Sequence, residues 1–230
     1  MGGLACGLVD LTDSYLRAFP EDVLARYDMR EVRNAATVLA NASPDEFNEL
    51  VEVLRGFVLT ESDVLNPGRN EGQIAKRLNE AFRDKGWREG RHDTKITSLL
   101  KLMPYKPDGE KKPVVVETEV VNEGYKVDNV KGSVALDVEW NAKDGNLDRD
   151  VSAYRALYDA GVIATGVLLT RTMTDLRELG HKLGRPKFLA TTTTTNLGKL
   201  EPRLTRGDAG GCPLLAIAIT ARCYEHAEDP

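Results

Sequence analysis

Three acidic residues near the middle of the chain could bind a metal ion. Asp137 and Glu139 alternate with apolar residues, which is typical of a β-strand. Side chains two apart on a strand share a face, so the two carboxylates should project together, with their Cα atoms roughly 7 Å apart. Asp128 precedes them across a short predicted turn. Converging carboxylates favour hard divalent cations, although the same alternation also describes any half-exposed strand.

The residues that follow these acids predict a β-α-β unit. Residues 147–160 carry apolar side chains at helical spacing and end at Gly161, a typical helix stop. Residues 162–170 are apolar and β-branched, like a strand that is covered on both faces. The acidic strand and this second strand should therefore be parallel and joined by a right-handed crossover.

The rest of the chain predicts helices around one sheet. The first 60 residues are predicted to be helical, and residues 104–113 and the Thr- and Gly-rich stretch after residue 190 to be loops. Periodicity predicts helices at residues 21–27, 45–57, 71–84 and 173–183. It predicts further strands at residues 114–121 and 214–220. We expect an α/β fold, a mixed central sheet flanked by helices, in one domain over residues 1–230. Its helical N-terminal part would span residues 1–65 and its core residues 70–220.

Composition excludes several classes of protein. The three cysteines are far apart, no C-x-x-C pair occurs and only three histidines are present, so neither a zinc site nor a disulfide framework is expected. This cysteine usage suits a reducing cytoplasm. No apolar run approaches the roughly 20 residues of a membrane span, and no targeting segment is predicted.

The charge distribution is uneven. The net charge of −5 argues weakly against nucleic acid as a partner. Residues 181–206, however, hold six Lys and Arg residues against one acid. This tract could contact phosphates, or it could be an ordinary solvated loop.

Common catalytic motifs are missing from the sequence. It has no G-x-S-x-G nucleophile motif, no G-x-x-x-x-G-K-[ST] phosphate loop and no G-x-G-x-x-G fingerprint after a strand. The carboxylates and the basic tract remain, and both fit metal-assisted hydrolysis of phosphodiesters. In that chemistry, a cation lowers the pKa of a bound water and offsets charge on the phosphoryl oxygens.

Several ordered segments resemble one enzyme family. The stretch from Val127 to Asn141 is similar to the catalytic segment of the BglII/BstYI family of type II restriction endonucleases, a branch of the PD-(D/E)xK nucleases. The resemblance covers about residues 70–220 and extends to residues 78–82, 85–89, 163–170 and 213–220. It implies a restriction-endonuclease-like fold.

The resemblance assigns roles to the acids. Asp128 matches the first metal-binding acid of the family, and Asp137 matches the second, which is usually Glu. Glu139 stands where the superfamily has Lys and this family often has Gln, so it could be a general base, a ligand or a group that orients water. Related folds add an acid from an N-terminal helix to the metal site. Glu80 is the candidate and Glu89 the reserve, although Glu80 lies off the apolar stripe of its helix.

The resemblance also places DNA contacts. The tract at residues 191–206 corresponds in order to the loop with which the family reads DNA, although Thr runs are also ordinary turn material. Hydroxyls and amides can read base edges, while Lys can bind phosphates. The candidate contacts are Thr194, Thr195, Asn196 and Lys199, with Asn141 and Lys143 as secondary candidates.

The sequence therefore predicts a type II restriction endonuclease. As the resemblance implies, it would be a homodimer that cuts double-stranded DNA at a palindromic, GATC-centred site, requires Mg²⁺ and leaves a 5′-phosphate. Two alternatives stay open. One is a repair nuclease of the same fold with weak sequence reading. The other is a non-catalytic DNA-binding protein in which Asp137 and Glu139 are polar strand residues.

Overall fold

The computed structural model describes residues 10–65 and 71–225 of the chain. They divide into two compact units, of which the smaller is Arg91–Lys126. The residues before and after this segment form the larger unit. Within the stretch predicted as the nuclease core, residues 91–126 thus form a unit of their own.

A seven-stranded mixed sheet organises the larger unit. Within the described residues, the strands are β1 (Leu11–Thr12), β2 (Tyr27–Val32), β3 (Arg88–Arg91), β4 (Thr94–Leu102), β5 (Val114–Asn122), β6 (Lys126–Lys131), β7 (Val134–Val138), β8 (Thr165–Arg171) and β9 (Leu214–Ile219). The sheet has the order β1-β2-β9-β8-β7-β6-β3, while β4 and β5 pair only with each other. Strands β7, β8 and β9 are parallel, and β6 and β2 run antiparallel to β7 and β9, respectively.

Helices cover both faces of the sheet, because the central strands carry apolar side chains on both faces. The helices are α1 (Tyr15–Ala18), α2 (Glu21–Leu24), α3 (Ala35–Ala42), α4 (Pro44–Gly56), α5 (Glu61–Leu65), α6 (Glu71–Asp84), α7 (Gly145–Asp159), α8 (Thr174–Lys182) and α9 (Leu197–Arg206). Val134, Leu136 and Val138 of β7 join one hydrophobic core with α3, α4, α6 and α8. Ala135 joins the other core with α7 and α9. Among the described residues, no helix is long and apolar enough to cross a membrane.

Much of the predicted architecture is confirmed. The fold is α/β with a mixed central sheet flanked by helices. The acidic strand and β8 are parallel, with α7 between them. Helices α4, α6 and α8 and strands β5 and β9 coincide with predicted elements to within a few residues. Strong local periodicity therefore sufficed wherever an element buries one regular face.

Two predictions of local structure are wrong. The first 60 residues are not all helical, because β2 pairs with β9 from Tyr27↔Ile219 to Val32↔Leu214. A distant partner decides the conformation of β2, and local periodicity does not report it. The tract after residue 190 is not all loop either. Helix α9 forms there because Leu197, Leu200 and Leu204 bury one face, although Pro202 lies inside it.

One glycine sets the spacing between α7 and β8. A Cβ atom built at Gly166 would come within 2.8 Å of the ring of Tyr154. Tyr154 is fully buried, and its hydroxyl donates a hydrogen bond to the carbonyl of Val167 at 2.8 Å. The ring therefore has little freedom to move away, and only glycine permits this approach.

We predict that Gly166→Ala destabilises the fold by about 1–3 kcal/mol, the usual cost of forcing a methyl group into a packed core. Gly145→Ala is the matched control, because a Cβ atom at Gly145 would meet nothing within 4 Å. Urea unfolding followed by circular dichroism measures both. Equal free energies of unfolding for the two variants would contradict the packing argument.

Candidate active site

Asp128 and Asp137 lie side by side on adjacent strands. Strands β6 and β7 pair as an antiparallel hairpin whose register, Asn129↔Leu136, puts Asp128 opposite Asp137. The backbone N–H of Asp128 donates to Oδ1 of Asp137 at 2.8 Å. The N–H of Val138 in turn lies 3.4 Å from Oδ2 of Asp128. The sheet thus brings the first two predicted acids together, and each carboxylate accepts from the backbone of the other strand.

Asp137 is buried and lacks a full set of hydrogen-bond donors. It is 2 % exposed, and its Oδ2 atom accepts no hydrogen bond, since the nearby Tyr154 hydroxyl donates to the carbonyl of Val167. Burial and then the negative charge of Asp150 raise the pKa of Asp137 to about 7, against a partial lowering by the N–H of Asp128. An isolated buried carboxylate is costly, so the site favours a proton or a cation at this position.

Glu139 lies just beyond β7 and is held at both backbone ends. Its N–H donates to the carbonyl of Leu169 at 2.7 Å, and its carbonyl accepts from the hydroxyl of Thr195 at 3.1 Å. Its Oε1 atom lies 3.4 Å from both Asn146 Nδ2 and an Arg149 guanidinium nitrogen. Its Oε2 atom is buried with no donor. Burial raises the pKa of Glu139. A hydrogen bond with the Asp150 side chain and the positive charge of Arg149 partly lower this pKa again.

Asp150 is a fourth carboxylate that the sequence analysis missed. It projects from α7, is 1 % exposed and accepts from the guanidinium of Arg149 at 2.8 Å through Oδ1. Its Oδ2 atom has no donor. Burial, followed by the charge of Glu139, raises the pKa of Asp150 to about 7. A signal was present, because Asp150 interrupts the apolar stripe formed by Leu147, Val151 and Tyr154.

The donor chemistry of this site fits an oxygen-liganded cation. Asp137 keeps one buried carboxylate oxygen without a donor, and so do Glu139 and Asp150 unless they share a proton with each other. A proton or a cation can satisfy these oxygens. Across residues 10–65 and 71–225, no three His, Cys, Asp or Glu side chains are arranged to hold a metal ion by themselves. Mg²⁺ does not require such a set, since proteins bind it through one or two carboxylates together with waters and phosphate oxygens. Asp128 and Asp137 suffice for such a pair.

Helix α6 approaches Asp128 through an asparagine. The amide nitrogen of Asn79 lies 3.5 Å from Oδ2 of Asp128, and its oxygen accepts from Asn129 Nδ2 at 2.7 Å. Glu80, the acid predicted to join the metal site, is exposed and lies 3.6 Å from Lys76 of the same helix. The reserve candidate, Glu89, is exposed in β3. The structure thus joins Asn79 to the acid pair, and it records no contact between Glu80 and that pair.

The candidate DNA contacts around residue 195 are mostly buried. The side chains of Thr194, Thr195 and Asn196 are 9 %, 0 % and 6 % exposed. Thr195 bonds the carbonyl of Glu139, and Asn196 caps α9 by accepting from the N–H of Lys199 at 3.1 Å. These three side chains hold the loop in place. A role in DNA contact stays a prediction for them.

Arg171 joins this loop to the end of β7. Its fully buried guanidinium donates to the carbonyl of Trp140 at 2.6 Å, to Asn141 Oδ1 at 3.2 Å and to the hydroxyl of Thr194 at 2.8 Å. It also lies over the ring of Trp140. The candidate Asn141 is therefore engaged inside the protein. Lys143 is exposed and forms a backbone bridge to Thr194.

The basic tract is partly neutralised by acids of the α7 region. Lys199 pairs with Asp144 at 2.7 Å, and Arg203 pairs with Asp148 at 2.7 Å. These contacts lower the pKa values of both aspartates. The local excess of positive charge read from the sequence is thus smaller in the folded chain.

We predict that Asp150→Asn raises the free energy of unfolding near pH 8 and changes it much less near pH 4.5. The pKa of Asp150 is raised from 3.8 to about 7. Between these values the unfolded chain releases a proton that the folded chain keeps, so stability falls as pH rises, by up to about 1.4 kcal/mol per pH unit. Asparagine does not ionise, so the variant avoids this fall in stability. Urea unfolding in the presence of a chelator measures the free energy of unfolding at each pH.

Asp148→Asn is the matched control for this prediction. Asp148 lies two residues earlier on the same helix, but it is exposed, and Arg203 lowers its pKa. Its contribution to stability is therefore present above its ordinary pKa and is lost on acidification, so its removal should give no stabilisation near pH 8. If Asp150→Asn behaves like this control, the buried carboxylate does not destabilise the fold.

Comparison with known families covers most of the chain. The family described as restriction endonuclease BglII/BglIII matches residues 27–219. This range begins at β2, includes the β6–β7 carboxylates and α7, and ends with β9. No curated protein is significantly similar to the chain. The family match agrees with the resemblance of the catalytic segment, and it extends that resemblance towards the N-terminus. The chain therefore belongs to the restriction endonuclease BglII/BglIII family.

Proposed function

We propose that the protein is a type II restriction endonuclease that hydrolyses double-stranded DNA with the help of Mg²⁺. Membership of the restriction endonuclease family supports DNA cleavage at the level of the whole chain. The observation that carries the proposal is the paired carboxylates of Asp128 and Asp137 on adjacent strands inside the matched region. A non-catalytic DNA-binding protein would have no need to bury the carboxyl groups of Asp137, Glu139 and Asp150 close to this pair.

Asp128 and Asp137 would hold the cation. When bound, Mg²⁺ supplies positive charge that offsets the charge developing on the phosphoryl oxygens and acidifies a water. Asp137 presents its Oδ2 atom free of donors, and the Asp128 N–H fixes the other oxygen. Asn79 fixes the side of Asp128 that faces α6. These contacts orient the pair before substrate arrives.

Glu139 is the proposed group that orients the attacking water or accepts its proton. The raised pKa of Glu139 lies closer to neutral pH than the pKa of an exposed carboxylate does, and this favours proton transfer from water. The oxygen of that water forms a bond to phosphorus while the bond from phosphorus to the 3′ oxygen breaks, so the phosphate stays on the 5′ end. Arg149 holds Glu139 and Asp150 in place through its guanidinium.

The loops at the carboxyl ends of the parallel strands would contact DNA. Lys143 and the side chains of residues 191–193 are exposed there and can meet phosphates or base edges. Lys199 can exchange Asp144 for a phosphate. Thr194, Thr195 and Asn196 would keep the loop in shape through their internal bonds.

A two-fold symmetric dimer would suit a palindromic site. Two copies place two identical sets of reading loops on the two strands, so that protein and DNA symmetry coincide. The family resemblance supports a GATC-containing sequence and a cytoplasmic enzyme. The loops that read bases are the part of the fold that varies most easily, so the flanking bases of the target are best determined by experiment.

We predict that the purified protein cuts plasmid DNA into discrete bands with Mg²⁺ and leaves it intact with a chelator. Discrete bands report cleavage at fixed sequences, and end-sequencing of the fragments reports the site and the 5′-phosphate. A smear in place of bands would indicate a nuclease without sequence reading. DNA that stays intact at every Mg²⁺ concentration would overturn the proposal.

We predict that Asp137→Asn loses cleavage by on the order of a hundredfold to a thousandfold but keeps its affinity for DNA. The amide keeps the shape of the side chain and removes the charge that holds the cation. DNA affinity is measured by fluorescence anisotropy and cation binding by the paramagnetic signal of Mn²⁺. Asp148→Asn serves as the control for cation binding, because Asp148 is exposed and pairs with Arg203. Full cleavage by Asp137→Asn would sink the assigned role.

A further inference from the structure

Two loops beside the candidate active site are paired with each other. The first, which we call the β7 loop, consists of residues 139–144 between β7 and α7. The second, which we call the α9 loop, consists of residues 190–196 and leads into α9. Their backbones run antiparallel and exchange two hydrogen bonds, from the N–H of Thr195 to the carbonyl of Ala142 at 2.9 Å and from the N–H of Asp144 to the carbonyl of Thr193 at 3.0 Å.

Arg171, at the end of β8, joins the side chains of the two loops. It is fully buried. Its Nη2 atom donates to Asn141 Oδ1 of the β7 loop at 3.2 Å and to the hydroxyl of Thr194 of the α9 loop at 2.8 Å. Its Nε atom donates to the carbonyl of Trp140 at 2.6 Å, and its guanidinium lies over the ring of that residue. One guanidinium thus holds both loops against the sheet.

Stability alone does not explain why this charge is buried. Taking a guanidinium out of water is costly, and an apolar side chain of similar volume often stabilises a fold equally well or better. A guanidinium offers instead several donors in one rigid plane, so it can hold several groups at fixed relative positions. The groups that Arg171 holds belong to two different loops. Its contribution is therefore to fix the position of one loop relative to the other.

The α9 loop has an exposed tip and a buried base. The side chains of residues 191–193 are exposed and can meet DNA, whereas Thr195 is fully buried. The hydroxyl of Thr195 donates to the carbonyl of Glu139, the proposed group that handles the attacking water, at 3.1 Å. Arg171 holds the next carbonyl along the chain. A displacement of the tip is therefore passed on to Glu139 through these two side chains.

We propose that Arg171 is a positioning residue that makes the rate of cleavage depend on how the α9 loop fits the DNA. This inference rests on the proposed function and deepens it, because it names the side chain that links base reading to Glu139. On a matching sequence, the seated loop would keep Glu139 aligned with the attacking water. On a mismatched sequence, the displaced loop would move Glu139, and a misplacement of about 1 Å can lower a rate roughly a hundredfold.

Two arginines that hold the same loop provide a matched pair of variants. Arg171→Lys keeps the positive charge but removes the planar fork, so that one ammonium group cannot hold both loops. Arg177→Lys is the control. The guanidinium of Arg177 donates to three consecutive carbonyls at the start of the α9 loop and just before it, those of Leu189, Ala190 and Thr191. These bonds hold the loop but do not lead to Glu139.

The experiment separates the rate of cleavage from the affinity for DNA. Single-turnover cleavage at saturating DNA with Mg²⁺ measures the rate, and fluorescence anisotropy without Mg²⁺ measures the affinity. The substrates are the preferred site of the wild-type protein and sites that differ from it by one base pair. The ratio of the rates on the two kinds of site measures discrimination.

We expect Arg171→Lys to lower the rate on the preferred site by about tenfold to a hundredfold and to keep the dissociation constant within about threefold. Discrimination should fall roughly tenfold, because a mismatch no longer moves Glu139 through the link. We expect Arg177→Lys to weaken DNA binding, with the rate at saturation and the discrimination kept within about threefold.

Circular dichroism shows whether Arg171→Lys is folded. If it is not, Thr195→Val tests the other bond of the link, because valine has nearly the same shape and lacks the hydroxyl. Its control is Thr165→Val, since Thr165 is also buried and its hydroxyl makes no hydrogen bond among the described residues. We expect Thr195→Val to lower the rate and the discrimination at unchanged affinity, and Thr165→Val to match the wild type.

The outcomes separate this inference from the proposed function. Wild-type rate and discrimination in Arg171→Lys overturn the inference, and so does weaker binding with an unchanged rate, which a merely structural role would give. Both results leave the proposed function in place while the wild-type protein cuts at fixed sites. A wild-type protein that cuts no DNA, or cuts it without a preferred site, removes the proposed function and this inference together.

Discussion

The arrangement of the larger unit depends on the burial of carboxylates around one arginine. Asp137, Glu139 and Asp150 are each less than a tenth exposed, and Arg149 is the cation that bonds two of them. Burying like charges together destabilises a fold unless protons or cations compensate. The raised pKa values of these groups express that cost. A site that binds Mg²⁺ only together with substrate would hold its acids in this way, with one oxygen of each carboxylate hydrogen-bonded and the other without a donor.

The backbone keeps these acids in place. Asp137 lies in the middle of the sheet, between β6 and β8, where its backbone cannot shift without breaking strand pairing. Glu139 lies just outside the sheet and depends on side chains instead. Thr195 bonds its carbonyl, and Arg171 bonds the next carbonyl along the chain, that of Trp140. The loop that follows β7 and the loop before α9 thus form one structure, so the proposed reading loop and the candidate base are mechanically linked.

The sequence by itself determined the elements whose faces are regular and local. The β-α-β unit from β7 to β8, the helix α6 and the last strand were predictable because each repeats apolar residues at one period. The sequence predicted Asp137 and Glu139 on one strand, whereas β7 ends at Val138 and Glu139 lies just beyond it. The roles assigned to Asp128 and Asp137 came from the family resemblance, and the structure places these two acids together.

Only the tertiary structure decided what depends on distant partners. Strand β2 forms because it pairs with β9, and α9 forms because its three leucines are buried in a core. Asp150 was brought to the site, and Asn79 lies beside Asp128. A role of Glu80 at the metal stays a prediction. Burial turned Thr194, Thr195 and Asn196 into supports for the loop. The physical reason is that periodicity reports which face of an element is covered, while the packing of one element on another decides which polar side chains meet beneath it.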